Sequence, residues 1–183
     1  YTPPAGLSSG KAWFTRQQID TQPAVQAQLK GREIAYLNDP IEALVLHIQG
    51  SGRLRITEPD GSQRIVRVAY AANNGQPYRS VGSWLLSQRA ITDATWPGIR
   101  AWVAANPDRI NEMLWTNPRY VFFRQEILAG VDASFGPRGA QGVELTPGRS
   151  LAVARLRLPH ATPVCLASPA PAVPPQPLVM PPD

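Results

Sequence analysis

Two groups of residues have types and spacing that suit contact with a sugar. The first is Gln49-Gly50-Ser51-Gly52, which follows a strongly apolar run. Glycine lets a ring approach the backbone closely, and amide and hydroxyl groups can bond to the acetamido and hydroxyl groups of a sugar. The alternative is purely structural, a bulge or the tight end of a strand. These four residues alone favour the structural alternative.

The second group combines aromatic rings with amides and a glycine. Its members are Tyr70, Asn73, Asn74, Gly75 and Tyr78. Aromatic faces stack on the C–H surfaces of sugars, and asparagine can bond to their amides. The alternative, a turn flanked by core tyrosines, is equally open. Arg79, next along the chain, could pair with a carboxylate or be solvated.

No acidic residue stands out as a proton donor. A general acid must be buried to keep its proton near neutral pH, and no candidate sits in a segment that demands burial. The candidates, each with a simple interpretation in a turn, a helix cap or a strand end, are Glu33, Asp39, Glu42, Asp60, Asp93 and Asp132. We predict no catalytic residue among them. His47 is interpreted as a satisfied histidine in a strand wall rather than as a base.

The composition argues against several classes of function. Cys165 is the only cysteine and has only His47 and His160 beside it, so neither an intrachain disulfide nor a metal site is predicted. A net charge of +5 favours polyanionic partners. The sixteen arginines are scattered along the chain, so nucleic acid is not a predicted partner. No apolar run approaches the roughly 18 residues of a membrane span, so no transmembrane segment is predicted.

The first half of the chain must position both groups, and its pattern predicts mainly strands. Thr15 and Gln18 form a capping box that opens a short helix. Ile41–Gln49, apolar almost throughout, predicts the strongest strand, and Glu33–Leu37 predicts a weaker one.

A hairpin is predicted directly after the first group, because polar and apolar residues alternate at 53–57 and 63–68 around a short loop. We expect its arginines on a solvated face. The residues expected on the buried face are Leu54, Ile56 and Ile65 (or Val66).

The pattern becomes helical after Tyr70. Helices are predicted at 81–89, at 99–105 and from Asn106-Pro107, and strands at 119–124 and 150–153. The last residues are rich in proline and predict a disordered tail.

Three stretches carry a specific resemblance. They run from Tyr36–Glu42 into Leu46–Arg53, then Tyr70–Gly82, then Asn117–Arg124 with Leu145–Val153. In order, spacing and residue type they resemble the membrane-bound lytic transglycosylase A family, over residues 2 to 153. The resemblance favours a glycan groove as the role of Gln49–Gly52.

The resemblance implies a fold and a domain arrangement. The fold would be mainly β with helices, in the α+β class, with a small β-barrel domain inserted into a double-psi β-barrel. Residues 1–115 would form the inserted domain and residues 116–160 a partial segment of the double-psi barrel. Residues 161–183 would form the proline-rich tail.

The resemblance also implies an activity. The family cleaves the β-1,4 bond between N-acetylmuramic acid and N-acetylglucosamine, and a single aspartate acts first as acid and then as base. The muramoyl 6-hydroxyl supplies the nucleophile, which explains why no second carboxylate is needed. The implied partner is the peptidoglycan glycan strand, no cofactor is implied, and the implied location is the periplasm, in association with the outer membrane.

The chain departs from the family where the aspartate is expected. The acidic residue expected after the strand at 150–153 is Ala154, and after Glu144 the only carboxylate side chain is Asp183. We therefore expect a truncated member that does not cleave the glycan. The alternative is a non-catalytic remnant that binds peptidoglycan.

Overall fold

The structure is a computed structural model that describes residues 1–7, 11–126, 139, 143–146 and 150. The chain divides into two compact units, Tyr1–Pro137 and Arg138–Asp183. All helices and strands given below belong to the first unit.

Helices outnumber strands in the described part of the chain, which is of the α+β class. The prediction of a mainly β chain is therefore corrected for these residues. In order, the elements are α1 (Arg16–Thr21), α2 (Pro23–Leu29), α3 (Pro40–Gln49), β1 (Ser51–Thr57), β2 (Gln63–Asn73), α4 (Val81–Ser87), α5 (Trp96–Ala105), a 3-10 turn (Pro107–Arg109), α6 (Ile110–Trp115) and β3 (Val121–Glu126).

α3 occupies the segment predicted as the strongest strand, Ile41–Gln49, so that prediction is wrong. The Asp39 side chain caps the helix by accepting hydrogen bonds from two N–H groups of its first turn, at 2.8 and 3.4 Å. Pro40 lies in the first turn, where its missing N–H costs nothing, and Gly50 ends the helix with a φ of 76°. These signals decide the conformation, because a short apolar run looks the same in a buried helix and a buried strand.

The N-terminal segment is more helical than predicted. The capping box at Thr15 is confirmed and opens α1. Pro23 then starts α2, which the sequence analysis did not predict, again with proline in the first turn. The strand predicted at Glu33–Leu37 is wrong: the segment forms no ladder, and Ile34 packs into the core instead.

The hairpin of β1 and β2 is confirmed, and β2 is the central strand of a three-stranded antiparallel sheet in the order β1-β2-β3. Val66, rather than Ile65, belongs to the buried face: Val66 is 9% exposed and Ile65 57%. The expected solvated arginine face is wrong at Arg67, which is buried where β2 pairs with β3 and lies opposite Glu126.

The helices α3 to α6 pack on one another around a hydrophobic core of their own. α3 contributes Leu44, α4 contributes Leu85 and α6 contributes Met113, and each is 0% exposed. Burial of one such side chain contributes roughly 1.5–3 kcal/mol. The predicted helices at α4, α5 and α6 and the predicted strand at β3 are confirmed.

Two further predictions concern segments that lie wholly or almost wholly outside the described residues. Of the strand predicted at 150–153 only Ser150 is described, and the proline-rich tail lies outside the described residues. The domain boundary at 115/116 stays a prediction, although β3 beyond it pairs with β2. Within the described ranges no helix is long and apolar enough to cross a membrane.

Candidate functional site

The first predicted group lies at the junction between α3 and β1. Gln49 is the last residue of α3, Gly50 is its left-handed C-cap, and Ser51 and Gly52 open β1. A Cβ on Gly52 would come within 2.8 Å of the Leu46 Cδ1 atom. Both glycines therefore have a structural role, one through its positive φ and the other through close packing.

The structure brings part of the second group against this junction. A Cβ on Gly50 would lie 3.8 Å from the Cβ of Tyr70, and Ser51 is paired with Ala69 across the β1–β2 ladder. Gly50 of the first group and Tyr70 of the second, which are separate in sequence, are thus neighbours. We call the surface around them the Tyr70 patch and define it as Gln49, Gly50, Tyr70 and Asn73. The Ser51 side chain, like that of its partner Ala69, is on the other face of the sheet, because side chains alternate along a strand.

Tyr70 is exposed but firmly held within the patch. Its ring is on the surface, with the residue 44% exposed. The Asn73 Nδ2 donates to the Tyr70 Oη at 2.6 Å, and the Asn73 Oδ1 accepts from the Gly75 N–H at 2.8 Å. Arg124 also donates to the Tyr70 carbonyl. A ring fixed in this way offers a flat face without a large loss of side-chain entropy on binding.

Asn74 has a different place, inside the fold. Its side chain is 0% exposed. The Nδ2 donates to the carbonyls of Phe14 and Pro118 at 2.8 and 2.9 Å, and the Oδ1 accepts the Tyr120 N–H at 2.8 Å. Its amide therefore ties the N-terminal segment to β2 and β3, and its polar atoms are already engaged.

Gly75 and Tyr78 follow the patch. Gly75 has a φ of 68°, and a Cβ there would lie 2.7 Å from the Lys11 carbonyl oxygen, so the turn requires glycine. Tyr78 is 49% exposed and makes no ring contact or hydrogen bond with the Tyr70 patch among the described residues. The Arg79 side chain is also exposed, while its N–H donates to the Asn117 Oδ1 at 3.2 Å.

A pocket of about 180 Å³ lies beside the patch, and none of the predicted site residues lines it. One strand pair connects pocket and patch, because Phe123 of the pocket is paired with Tyr70. Val68 of the pocket is paired with Gly52, two residues after Gly50 of the patch. We call it the His47 pocket. Its lining consists of Tyr1, Glu33, Ile34, Ala35, Tyr36, Leu37, Ala43, Leu46, His47, Leu54, Val68, Tyr120 and Phe123.

His47 is held by a buried arginine that the sequence analysis missed. The Arg16 Nη2 lies 3.0 Å from the His47 Nδ1 and donates to the Arg119 carbonyl at 2.8 Å, while its Nε donates to the Asn117 carbonyl at 3.2 Å. The guanidinium also lies 5.2 Å from the centre of the Tyr120 ring. Nothing in the sequence distinguishes Arg16 from the other fifteen arginines.

The local environment shifts the pKa of each of these groups. Burial, assisted by the Arg16 charge, holds the pKa of His47 well below its ordinary value, so the imidazole is neutral at neutral pH. Burial also raises the pKa of the Tyr120 phenol, which stays protonated. The cluster is therefore a network of fixed hydrogen-bond groups with a single positive charge on Arg16.

A second groove, of about 810 Å³, runs along the free edge of β1. The groove carries charges of both signs, most of which are paired. Arg100 bridges Asp39 and Glu42, and Arg64 binds Glu58 at 2.5 Å. This pairing leaves the groove without a strong field of either sign.

Three of the carboxylates that the sequence offered as candidates are poor proton donors. Hydrogen bonds from Arg100, Ser62 and Thr95 lower the pKa of Asp39, Asp60 and Asp93 respectively. Burial raises the pKa of Asp20, which accepts a hydrogen bond from the Trp115 Nε1 at 3.0 Å.

Asp20 was absent from the sequence candidates. Its carboxylate bonds to Trp115 of α6 and is close enough to Arg16 for the two charges to interact. Asp132 lies outside the described residues. Among the residues that are described, no three histidine, cysteine or acidic side chains are grouped to hold a metal.

Sequence comparison finds relatives of one kind. A family model described as the MltA specific insert domain matches residues 7–124. The membrane-bound lytic murein transglycosylase A of Vibrio cholerae serotype O1 is 31% identical over 153 residues, which cover 82% of this chain and 38% of the relative. The protein of the same name from Escherichia coli K12 is 31% identical over 132 residues, covering 70% and 34% respectively.

Solved structures agree. The lytic transglycosylase LtgG of Burkholderia pseudomallei has 43% identity and a TM-score of 0.63, covering 87% of this chain and 45% of that one. The membrane-bound lytic murein transglycosylase of Agrobacterium tumefaciens has 35% identity and a TM-score of 0.62, covering 80% and 37%. The chain thus spans less than half the length of each of these relatives.

Proposed function

The chain belongs to the membrane-bound lytic murein transglycosylase A family, and we propose that it carries a glycan-binding surface of a peptidoglycan lytic transglycosylase. Such an enzyme cleaves the bond between N-acetylmuramic acid and N-acetylglucosamine and leaves a 1,6-anhydromuramoyl end. The substrate is the peptidoglycan glycan strand, and no cofactor is needed, because the muramoyl 6-hydroxyl closes on the anomeric carbon.

The Tyr70 patch is the observation that supports this proposal. Tyr70 offers a held aromatic face, and Gly50 leaves the backbone beside it uncovered. Gln49 adds an amide at the end of α3, next to Gly50. A sugar ring stacked on Tyr70 would find polar partners on one side and no side chain in the way on the other.

Other predicted site residues receive supporting roles. Asn74 and Gly75 position the turn that holds Asn73, and Gly52 allows β1 to pass close to α3. Tyr78 lies further along the chain and would contact a glycan beyond the patch.

The proposed domain arrangement follows the family. Residues 1–115 would be the inserted small β-barrel domain, with β1 and β2 in its wall. Residues 116–160 would be part of the double-psi barrel, and residues 161–183 its proline-rich tail. Location in the periplasm, with attachment to the outer membrane, is part of the same proposal and is supported by the name "membrane-bound" that the relatives carry.

A polypeptide of these 183 residues is proposed to bind glycan without cleaving it. The acid expected after the strand at 150–153 is replaced by Ala154, and after Glu144 the only carboxylate is Asp183. Asp39, Asp60 and Asp93 each have a lowered pKa and cannot replace it. These observations favour the second candidate function, non-catalytic peptidoglycan binding, for the polypeptide alone.

Binding is tested with purified sacculi in a pelleting assay. We expect the 183-residue polypeptide to sediment with sacculi, and Tyr70→Ala to weaken binding about tenfold, which corresponds to a stacking contribution of about 1.4 kcal/mol. Ile65→Ala is the matched control, because Ile65 is an exposed apolar residue of the same strand. Equal binding by both variants would remove the Tyr70 patch from the proposal.

Cleavage is tested on the same samples. Chromatography of the supernatant should detect no 1,6-anhydromuropeptides released by the polypeptide. Their release would show that it contains a working acid, and Asp20→Asn would then be the first variant to examine, because Asp20 is the described carboxylate with a raised pKa.

A further inference from the structure

The hydrogen bond from Arg16 fixes the tautomer of His47. A guanidinium can only donate, so the Nδ1 atom that lies 3.0 Å from the Arg16 Nη2 must be unprotonated. The Val121 N–H also points at this Nδ1, at 3.5 Å. In the neutral ring the proton is therefore on Nε2, and His47 presents one N–H donor of fixed direction.

His47 is a lining residue of the His47 pocket, and Arg16 and Val121 occupy the ring edge that carries Nδ1, which leaves the Nε2 edge. Nε2 has no hydrogen-bond partner among the described residues. Every fully buried side-chain nitrogen or oxygen of those residues does have a partner, so Nε2 is not fully buried. Nε2 is therefore accessible, and His47 lines the pocket. The donor is free for a ligand that enters there.

The rest of the pocket is mostly apolar. Leu46, Leu54, Val68 and Phe123 contribute carbon surface, and Glu33 stands at the lining with a negative charge. Arg16, a nearby cation, already bonds to His47 and to two backbone carbonyls. The amino group of Tyr1, another lining residue, interacts with the Glu33 carboxylate, and burial lowers the pKa of this amino group. A carboxylate would therefore meet Glu33 without a free cation among these groups, so a neutral ligand fits better.

We propose that the His47 pocket receives an acetamido group of the glycan strand, with its carbonyl oxygen on the His47 Nε2–H and its methyl against the apolar wall. This inference rests on the proposed function and names the sugar substituent that the surface selects. A water molecule occupies about 30 Å³ in the liquid, so a pocket of about 180 Å³ has room for an acetamido group and the edge of its ring.

The position of the pocket relative to the Tyr70 patch is consistent with one continuous ligand. Phe123 of the pocket is the antiparallel partner of Tyr70. Opposed residues in such strands have Cα atoms about 4.5–5.5 Å apart, a distance similar to the length of a sugar ring. A strand stacked on Tyr70 can therefore direct an acetamido group into the pocket.

The test compares two neutral β-1,4 hexasaccharides by titration calorimetry with the 183-residue polypeptide. Chitohexaose carries an acetamido group on each ring, and cellohexaose carries a hydroxyl there. We expect the polypeptide to bind chitohexaose at least tenfold more tightly. His47→Leu should abolish this preference, and His47→Gln, which keeps an amide N–H near the Nε2 position, should restore part of it.

Ala43→Leu provides a variant that leaves the Arg16–His47 pair intact. Ala43 lines the pocket from α3, and the larger side chain should fill it and reduce binding of chitohexaose about tenfold without changing binding of cellohexaose. If His47→Leu fails to fold, the Ala43→Leu variant tests the acetamido pocket in its place. Leu86→Ala is the control, because Leu86 is exposed and does not line the pocket.

The outcomes separate the two proposals. Equal affinity for both hexasaccharides, or an equal loss for both in a folded Ala43→Leu variant, overturns the acetamido pocket and leaves glycan binding standing. No binding of chitohexaose by the unmodified polypeptide overturns the proposed function, and the pocket proposal with it.

Discussion

Asn73 and Asn74 are neighbours in sequence, and the structure predicts opposite consequences of removing their side chains. Asn74→Ala would leave the Tyr120 N–H and the Phe14 carbonyl without partners inside the protein, and the Pro118 carbonyl would keep only its hydrogen bond from the Arg16 N–H. Each buried group left in this way costs about 1–3 kcal/mol. The total loss in the free energy of unfolding should be about 3–5 kcal/mol.

Asn73→Ala is the matched variant. Its amide bonds to the exposed Tyr70 Oη and to the Gly75 N–H, both of which water can reach. We expect a loss of at most about 1 kcal/mol in stability. Glycan binding should fall severalfold, because the Tyr70 ring loses the bond that holds it.

Urea denaturation and sacculus binding together test this contrast. With a slope of about 1–3 kcal/mol/M for a small domain, the Asn74→Ala midpoint should fall by at least about 1 M and the Asn73→Ala midpoint by much less. Native-state binding by Asn74→Ala, corrected for the unfolded fraction, should fall less than binding by Asn73→Ala, because Asn74 acts on the patch only through the turn that it positions. The reasoning is refuted if Asn74→Ala is as stable as the unmodified chain, or if Asn73→Ala is the more damaging of the two.

Three further predictions concern the groups that hold the site. Because the pKa of His47 is lowered in the folded chain, the unfolded state binds more protons than the folded state below about pH 6.5. The free energy of unfolding should therefore fall from pH 7 to pH 5, and it should fall less steeply in His47→Gln. Urea midpoints measured across this pH range test the prediction. Gly75→Ala should lower the stability more than Gly61→Ala. Both glycines have a positive φ, but only at Gly75 would the added Cβ come within 2.7 Å of another segment, at the Lys11 carbonyl oxygen. Equal thermal midpoints of the two variants would contradict this. Asp39→Ala should cost about 1 kcal/mol by removing the cap of α3, which circular dichroism during urea titration would detect, and no loss would contradict the capping role.

The fold could be predicted where local chemistry is unambiguous. The Thr15 capping box, the hairpin of β1 and β2 and the helices after Tyr70 have the structure that their patterns indicate. α3 could not be predicted from hydrophobicity, because its apolar run fits either a strand or a helix. The residues that indicate a helix are the N-cap Asp39 with Pro40 and the C-cap Gly50, and they flank the apolar run on its two sides.

The candidate site was predictable in part. Residue types alone placed Gly50 and Tyr70 in two separate groups, and the ladder between β1 and β2 brings them into contact. The same types could not separate Asn73 from Asn74, because burial depends on how the N-terminal segment crosses the turn. Arg16 and the His47 pocket form only in three dimensions, from α1, α3 and β3, and leave no pattern in the sequence.

The most direct test of the central claim, that the Tyr70 patch is a glycan-binding surface, is a chemical-shift titration of the ¹⁵N-labelled polypeptide with chitohexaose. We predict that amide signals of Gly50–Gly52 and Tyr70–Asn73 move together and saturate at one concentration, while those at the hairpin tip, Asp60 and Gly61, do not move. Saturable shifts confined to residues outside the patch, with Gly50 and Tyr70 unmoved, would contradict the account.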